Sequence, residues 1–152
     1  MKQPLFTPPD TPASKCFVCG PDNPRGLHLQ FHQQDGDRIT AEIDPPEEWI
    51  GWDGLMHGGF QCLLLDEVTA WTVTGLLGRE YCMTTTLEVR FRKPVRLGQK
   101  LTLVGQIIKT THSGSRVRGE LLSQDGQLLA EAEARIVHAG EQRFKRILET
   151  AP

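Results

Sequence analysis

Long apolar runs are missing from this sequence: none exceeds four residues, as in 62–65. A membrane-spanning helix needs about 20 apolar residues and a signal-peptide core about 7–15, so we expect neither, and we expect a cytoplasmic protein that does not bind membranes. Cysteine is scarce as well, and four in 152 residues do not make the disulfide framework of a small secreted domain. An excess of charge of one sign is also lacking, because the chain has 17 Lys and Arg residues and 19 Asp and Glu residues. A nucleic-acid-binding protein would need a basic excess.

The length of 152 residues fits one domain. Residues 1–15 contain four prolines and little apolar content, which predicts a flexible N-terminal arm. We place the domain at 16–140. The remaining segment, 141–152, is predicted to form a short C-terminal helix and tail.

Apolar and polar residues alternate through most of the chain, with the period of half-buried strands. The alternation stops between 57 and 76, where no proline occurs, and this predicts one helix of about 20 residues, or about 30 Å. The predicted strands are 27–32, 39–43, 83–92, 101–108, 116–122 and 128–138. This order predicts an α+β fold in which an antiparallel sheet packs on one helix. Small residues on one face of the last strand (Ala130, Ala132 and Ala134) would let the helix lie close to the sheet.

Two adjacent carboxylates, Asp66 and Glu67, interrupt a helix that is otherwise apolar or small nearly all round. No basic residue stands three or four positions from Asp66, so its own helix offers no ion-pair partner. Burying a carboxylate is costly unless it is paired or used in chemistry. Either acid is therefore a catalytic candidate, and the alternative is a structural ion pair with an arginine of the sheet.

The predicted helix begins at His57-Gly58-Gly59. The first turn of a helix has free backbone N–H groups at the positive end of its dipole, and glycine lets a ligand approach them. Such a helix start can polarise a carbonyl oxygen. The alternative is that the two glycines only form a tight turn into the helix.

Gly58 and Asp66 are eight residues apart, which is about 12 Å along one helix. A small reacting group cannot touch both residues of the same chain. If both serve one site, the start of one helix must face the middle of a second copy's helix. A two-fold homodimer does this and creates two equivalent sites.

Four segments resemble hotdog-fold acyl-CoA thioesterases, specifically the phenylacetyl-CoA-thioesterase-like group. They are CFVCGPDNPRGLHLQF, WIGWDGLM, HGGFQCLLLDEVTAW and MTTTLEVRFRKPVRLGQKL. The resemblance as a whole covers residues 16–138, with the elements in the same order. The resemblance implies a long central helix wrapped by a curved antiparallel sheet of five to six strands. It also implies a homodimer, or a dimer of dimers, and an acyl-CoA substrate without any other cofactor.

The same resemblance implies roles for individual residues. The N–H of Gly58 would polarise the thioester carbonyl, and Asp66 of the other subunit would attack it or activate water. His57 would brace the helix start, Thr84 would orient water or the carboxylate, and Glu67 is the reserve candidate for the base. Several relatives carry Asn or Gln about seven residues before the first glycine, where this chain has Gly51.

Substrate binding is predicted at two places. Gly59, Trp52 and Phe60 would line the acyl site near the helix start, although aromatic residues are equally common in a core. The basic residues Arg90, Arg92 and Lys93 would contact the phosphates of coenzyme A, the alternative being a solvated strand face.

Cys16 and Cys19, followed by His28 and His32, have a spacing similar to that of a zinc finger. Two histidines four residues apart in a strand are about 13 Å apart, too far for one ion. We therefore expect no metal, with zinc as the alternative.

Together with these patterns, the resemblance implies an enzyme that hydrolyses a small or medium acyl-CoA or aryl-CoA to the free acid and coenzyme A. A hotdog enoyl-CoA hydratase or dehydratase is the second hypothesis. A non-catalytic acyl-CoA-binding module is the third.

Overall fold

The computed structural model describes residues 2–7 and 11–152, and the side chains from residue 4 onward within those ranges. A seven-stranded antiparallel sheet and one long helix make up most of the chain. The strands are β1 (Lys2–Leu5), β2 (Phe31–Gln34), β3 (Arg38–Ile43), β4 (Cys82–Phe91), β5 (Leu101–Thr110), β6 (Gly114–Ser123) and β7 (Leu128–His138). The helices are α1 (Gly58–Leu77) and α2 (Glu141–Thr150), with a short 3-10 turn at Glu47–Trp49. No helix in these described ranges is long and apolar enough to span a membrane.

The strands lie in the order β1-β2-β3-β5-β6-β7-β4, and α1 packs on one face of this sheet. The long helix and the antiparallel sheet confirm the predicted α+β architecture. α1 ends at Gly78, whose left-handed backbone (φ 63°) lets its N–H donate to the Thr74 carbonyl. The sheet-facing side of α1 is buried and consists of Gln61, Leu64, Leu65, Val68, Thr69, Thr72 and Val73.

The sheet has seven strands rather than the five to six expected. The additional strand is β1, which lies inside the segment predicted to be a flexible arm. It pairs with β2. Residues 1 and 8–10 of that segment lie outside the described residues. β2 is shorter than predicted, because the backbone of His28 has a positive φ of 49°, which interrupts the strand. The residues on either side of His28 instead donate backbone hydrogen bonds to the carbonyls of Phe17 and Val18.

Small residues let α1 approach the sheet closely, as the alanines of β7 predicted. Ala130 and Ala134 are fully buried. Gly105 of β5 makes the tightest approach: a Cβ there would lie 1.9 Å from Oγ1 of Thr72 and 2.9 Å from the carbonyl oxygen of Val68. Only glycine fits at this position, so the helix and the sheet backbone are in direct contact.

Candidate active site

The first turn of α1 presents one free backbone donor. His57 is the N-cap residue, and its Nδ1 accepts the N–H of Gly59 at 2.9 Å. The N–H of Phe60 is bonded to the His57 carbonyl at 3.1 Å. Within the described residues, the N–H of Gly58 has no partner. This donor lies at the positive end of the helix dipole, where it can bind a carbonyl oxygen.

The loop before α1 fixes the position of His57. Its N–H donates to the carbonyl of Trp49 at 2.7 Å. A Cβ at Gly51 would lie 3.0 Å from the His57 Cα, so this backbone passes directly against the helix start. The amide side chain that relatives carry near this position would be crowded in this conformation. Among the described residues, the Gly58 N–H is therefore the backbone donor left free at the helix start.

Asp66 lies in the middle of α1, and one of its carboxylate oxygens is isolated. Oδ1 is buried and has no hydrogen-bond partner within the described part of the chain. The backbone carbonyl of Asp66, by contrast, accepts a hydrogen bond from the Thr69 hydroxyl at 2.8 Å. A buried acceptor without a partner costs about 1–3 kcal/mol. Such a group is expected to gain its partner from a substrate, water or a second chain.

The side chain of Glu67 has different surroundings, although it is the next residue. Its Oε1 accepts the indole N–H of Trp71 at 3.2 Å and lies 3.7 Å from the Sγ of Cys16. Burial raises the pKa of Glu67 to about 7, and the hydrogen bond with Cys19 opposes this increase. Glu67 therefore belongs to the contact between α1 and the N-terminal segment.

The two cysteines of the CxxC segment, Cys16 and Cys19, lie close to Glu67. The sequence does not predict this contact. A hydrogen bond from the Cys19 thiol, aided by the backbone N–H groups of Cys19 and Val18, lowers the pKa of Cys16. The same thiol contact and burial raise the pKa of Cys19. The only sequence signal for this contact was a carboxylate without a basic partner on its own helix.

Gly58 and Asp66 lie on one uninterrupted helix, as the spacing argument requires. Their separation of eight residues corresponds to about 12 Å along the axis. The side of α1 that carries Asp66 is incompletely covered in the single chain. We call this side the open face; it consists of Gly59, Cys62, Leu63, Asp66 and Ala70, none of which is buried.

A β-bulge in β4 determines where Thr84 points. Thr84 pairs with Ile136 and Thr86 pairs with Arg135, so Thr85 is the extra residue between them. Directly paired residues share one face of a sheet, and Ile136 is buried. Thr84 is therefore on the inner face with α1, whereas strict alternation would place it opposite Leu87 on the outer face.

The predicted acyl-site residues separate into two environments. Phe60 stacks on the buried Trp49, with ring centroids 4.5 Å apart and an interplanar angle of 1°. Trp52 is 83% exposed, and Phe91, whose ring lies next to Gly58, is 55% exposed. The start of α1 is thus surrounded by exposed apolar surface. A cavity of about 560 Å³ lies elsewhere, between 27–32 and 40–44.

Arg90 and Arg92, which were predicted to contact phosphate, already have acidic partners. Arg90 bonds Glu88 at 2.9 Å, and Nε of Arg92 bonds Glu131 at 2.9 Å. The bond from Arg92 lowers the pKa of Glu131. Lys93 is exposed, and phosphate contact at all three basic residues stays a prediction.

The thioesterase superfamily profile matches residues 53–130, slightly more than half of the chain. No curated protein matches the sequence. The matched region begins before α1 and includes Gly58, Asp66 and all of β4. The chain belongs to the thioesterase superfamily.

Solved structures of hotdog proteins share its fold. AziG from S. sahachiroi is 23% identical with a TM-score of 0.67, and the match covers 74% of this chain and 91% of AziG. A hypothetical thioesterase from Streptococcus pneumoniae, solved with coenzyme A, is 17% identical with a TM-score of 0.66, covering 74% and 86%. The E. coli PaaI protein from the phenylacetic acid degradation operon is 16% identical with a TM-score of 0.68, covering 75% and 81%. These similarities confirm the hotdog fold.

Proposed function

We propose that this protein is an acyl-CoA thioesterase whose active site is shared between two subunits. The observation that carries the proposal concerns two groups on α1 that have no hydrogen-bond partner among the described residues: the N–H of Gly58 and the buried Oδ1 of Asp66. The N–H of Gly58 suits binding of a thioester carbonyl oxygen, and the carboxylate of Asp66 suits attack on the carbonyl carbon or activation of water. The coenzyme A and acetyl-CoA named for two streptococcal neighbours support this substrate class.

The geometry of β4 and α1 supports a two-fold dimer. β4 is an edge strand of ten residues, and such an edge is a template for pairing with another chain. α1 runs alongside β4: Gly58 lies next to Phe91 at one end, and Thr74 contacts Cys82 at the other. Pairing two β4 edges would therefore bring two antiparallel α1 helices together along their open faces. The start of each helix could then face Asp66 of the partner subunit.

In this arrangement the Gly58 N–H binds the carbonyl oxygen of the thioester and stabilises the negative charge that develops on it. Asp66 of the partner subunit either attacks the carbonyl carbon or removes a proton from an attacking water. The C–S bond then breaks, and coenzyme A leaves as a thiolate that takes a proton from the protonated Asp66 or from solvent. Where Asp66 attacks directly, a water molecule then hydrolyses the anhydride formed on Asp66 and releases the free acid. Thr84, on the inner face of β4, is placed to orient the water or the carboxylate.

The proposal is tested with a panel of acyl-CoA and aryl-CoA thioesters, in which released thiol is measured with a colorimetric reagent. We expect steady turnover that is lost in Asp66→Asn. Stoichiometric binding of an acyl-CoA without thiol release by the wild-type chain would instead support a non-catalytic binding module.

A hydratase is less consistent with the site, because its chemistry needs a histidine that is free to transfer a proton. Here Nδ1 of His57 accepts the Gly59 N–H, which commits the ring to capping the helix and leaves only Nε2 for such a transfer. Incubation with an enoyl-CoA tests this point. Loss of the conjugated double bond's absorbance without thiol release would favour the hydratase.

A further inference from the structure

Cys16, Cys19 and Glu67 form a second group of chemically active side chains, distinct from the proposed thioesterase site. One ligand atom from each of the three residues lies within 4.8 Å of the other two. Glu67 projects from α1 towards the N-terminal segment, whereas Asp66 projects from the open face. This cluster has no role in the thioester chemistry described above.

We propose that these three side chains bind one zinc ion, which fastens the N-terminal CxxC segment to α1. Two thiolates and one carboxylate are a ligand set suited to zinc, and a water molecule can complete the tetrahedron. This inference goes beyond the proposed function and does not depend on it. Binding would release the thiol protons to solvent.

The distances in the cluster fit the size of a tetrahedral zinc site. With Zn–S bonds of about 2.3 Å and Zn–O bonds of about 2.1 Å, a tetrahedral site separates sulfur and oxygen ligands by about 3.6 Å. The Sγ of Cys16 lies 3.7 Å from Oε1 and 3.9 Å from Oε2 of Glu67. A carboxylate oxygen and a thiol are thus already at ligand spacing.

The turn that carries the cysteines is built around the first sulfur. Backbone N–H groups of Val18 and Cys19 interact with the Cys16 side chain. The N–H of Gly20 bonds the Cys16 carbonyl at 3.0 Å. A Cβ at Gly20 would lie 2.4 Å from both the Cys16 nitrogen and the Ser14 carbonyl oxygen, so only glycine allows this turn. Such a turn holds both thiols on one side with their positions fixed.

Charge favours a cation at this place. Within the described ranges, Glu67 makes no salt bridge with Lys, Arg or His, although its carboxylate is largely buried. A bound zinc ion would neutralise this charge together with that of the two thiolates. Cys19 also lines a cavity of about 210 Å³ with Thr7 and Trp71, which gives water access to a fourth ligand position.

The sequence predicts no metal, with zinc held by Cys16, Cys19, His28 and His32 as the alternative. His28 is not part of a strand, so the distance argument used there does not apply to it. Nevertheless, neither histidine joins the cluster of three ligand atoms among the described residues. The third ligand comes instead from a position 51 residues after Cys16.

The test uses the full chain, purified under reducing conditions, with metal content measured by elemental analysis. We expect one zinc per chain. After zinc removal, titration with Co²⁺ should give thiolate-to-cobalt charge-transfer absorption and tetrahedral visible bands that saturate at one equivalent. Zinc should also raise the thermal unfolding midpoint of the metal-free chain.

Variants separate this site from adventitious binding. Glu67→Gln keeps the side-chain shape and should weaken Co²⁺ binding at least about tenfold, and Cys16→Ser with Cys19→Ser should abolish the charge-transfer band. Cys82→Ser, which removes a thiol elsewhere, should bind like wild type. Circular dichroism verifies that each variant is folded.

Two results would overturn the proposal. The first is a folded, reduced wild-type chain that gives no thiolate-to-cobalt band. This result would still count against zinc if Cys16 and Cys19 of the same chain form a disulfide when they are oxidised. The second is unchanged metal binding in the folded double cysteine variant. Neither result depends on thioesterase activity, so the failure of this proposal is distinguishable from failure of the proposed function.

Discussion

Asp66 and Glu67 are consecutive residues whose carboxylates have opposite surroundings. Glu67 accepts the Trp71 indole N–H and contacts Cys16, whereas Oδ1 of Asp66 is buried without a hydrogen-bond partner in the described ranges. Successive residues of an α-helix point about 100° apart, so α1 presents one acid to the N-terminal segment and the other to its open face. This division assigns the candidate catalytic role to Asp66.

Asp66→Asn keeps the size of the side chain and removes its charge. We expect hydrolysis of the best acyl-CoA to fall at least about a hundredfold, the usual contribution of a positioned base, while the fold survives. Asp125→Asn is the control, because it removes the same charge at an exposed turn, and it should retain activity. Wild-type turnover in Asp66→Asn together with inactive Glu67→Gln would transfer the role to Glu67.

A shared site predicts complementation between two inactive variants. Gly58→Val blocks approach to the helix N–H, and Asp66→Asn removes the acid. Unfolding and refolding the two variants together gives about half heterodimers by random pairing, and each of these has one site with both lesions and one with neither. Activity should therefore recover to about a quarter of the wild-type value. A mixture that stays inactive despite proven subunit exchange would place the whole site in one chain.

The open face also predicts a contact that needs no activity assay. Cys62 lies four residues from both Gly58 and Asp66, so a two-fold axis that pairs those residues passes close to it. Mild oxidation should link two chains through Cys62, giving a dimer band on non-reducing gels. Cys82→Ser should still form this band, and Cys62→Ser should not. A band that persists in Cys62→Ser would contradict the predicted helix pairing.

The bulge in β4 predicts different effects for two nearby threonines. Thr84→Val should lower kcat at least about tenfold, because a hydrogen bond to a charged group contributes about 1.5–3 kcal/mol. Thr86→Val, at an exposed position on the outer face, removes the same hydroxyl and should have little effect. Steady-state kinetics on the two variants measure the difference. Equal kinetic constants in the two variants would show that Thr84 has no role in the site.

Close contact between α1 and β5 predicts a costly glycine substitution. Gly105→Ala places a methyl group against Thr72 and should lower the free energy of unfolding by about 1–3 kcal/mol. Gly140→Ala, where a Cβ meets nothing within 4 Å, is the control and should be nearly neutral. Urea denaturation at one fixed protein concentration compares them, because oligomer stability depends on concentration. Similar stability for both variants would mean that α1 can shift away from the sheet.

Much of the fold follows from the sequence because periodicity reports which face of each element is buried. The long helix and the strands after it were predictable for this reason. β1 was not, because four residues containing Pro4 show no alternation. The late start of β2 depends on contacts between distant segments, such as Leu29 with Val18.

The candidate site was predictable where it depends on local spacing. The helix cap at His57 and the unpaired acid at Asp66 both belong to this class. The orientation of Thr84 does not, since three successive threonines do not reveal which one bulges. Contacts between distant residues were also hidden, among them Glu67 with Cys16 and Arg92 with Glu131.

The two edge strands of the sheet, β4 and β1, differ in length, and this difference limits how many chains can join edge to edge. β4 offers ten residues for pairing, whereas β1 offers four, and Pro4 among them has no N–H to donate. Once two chains join through β4, the outer edges left over are both of the β1 type. Pairing by strand addition is therefore self-limiting, and a continuous sheet of many copies is disfavoured.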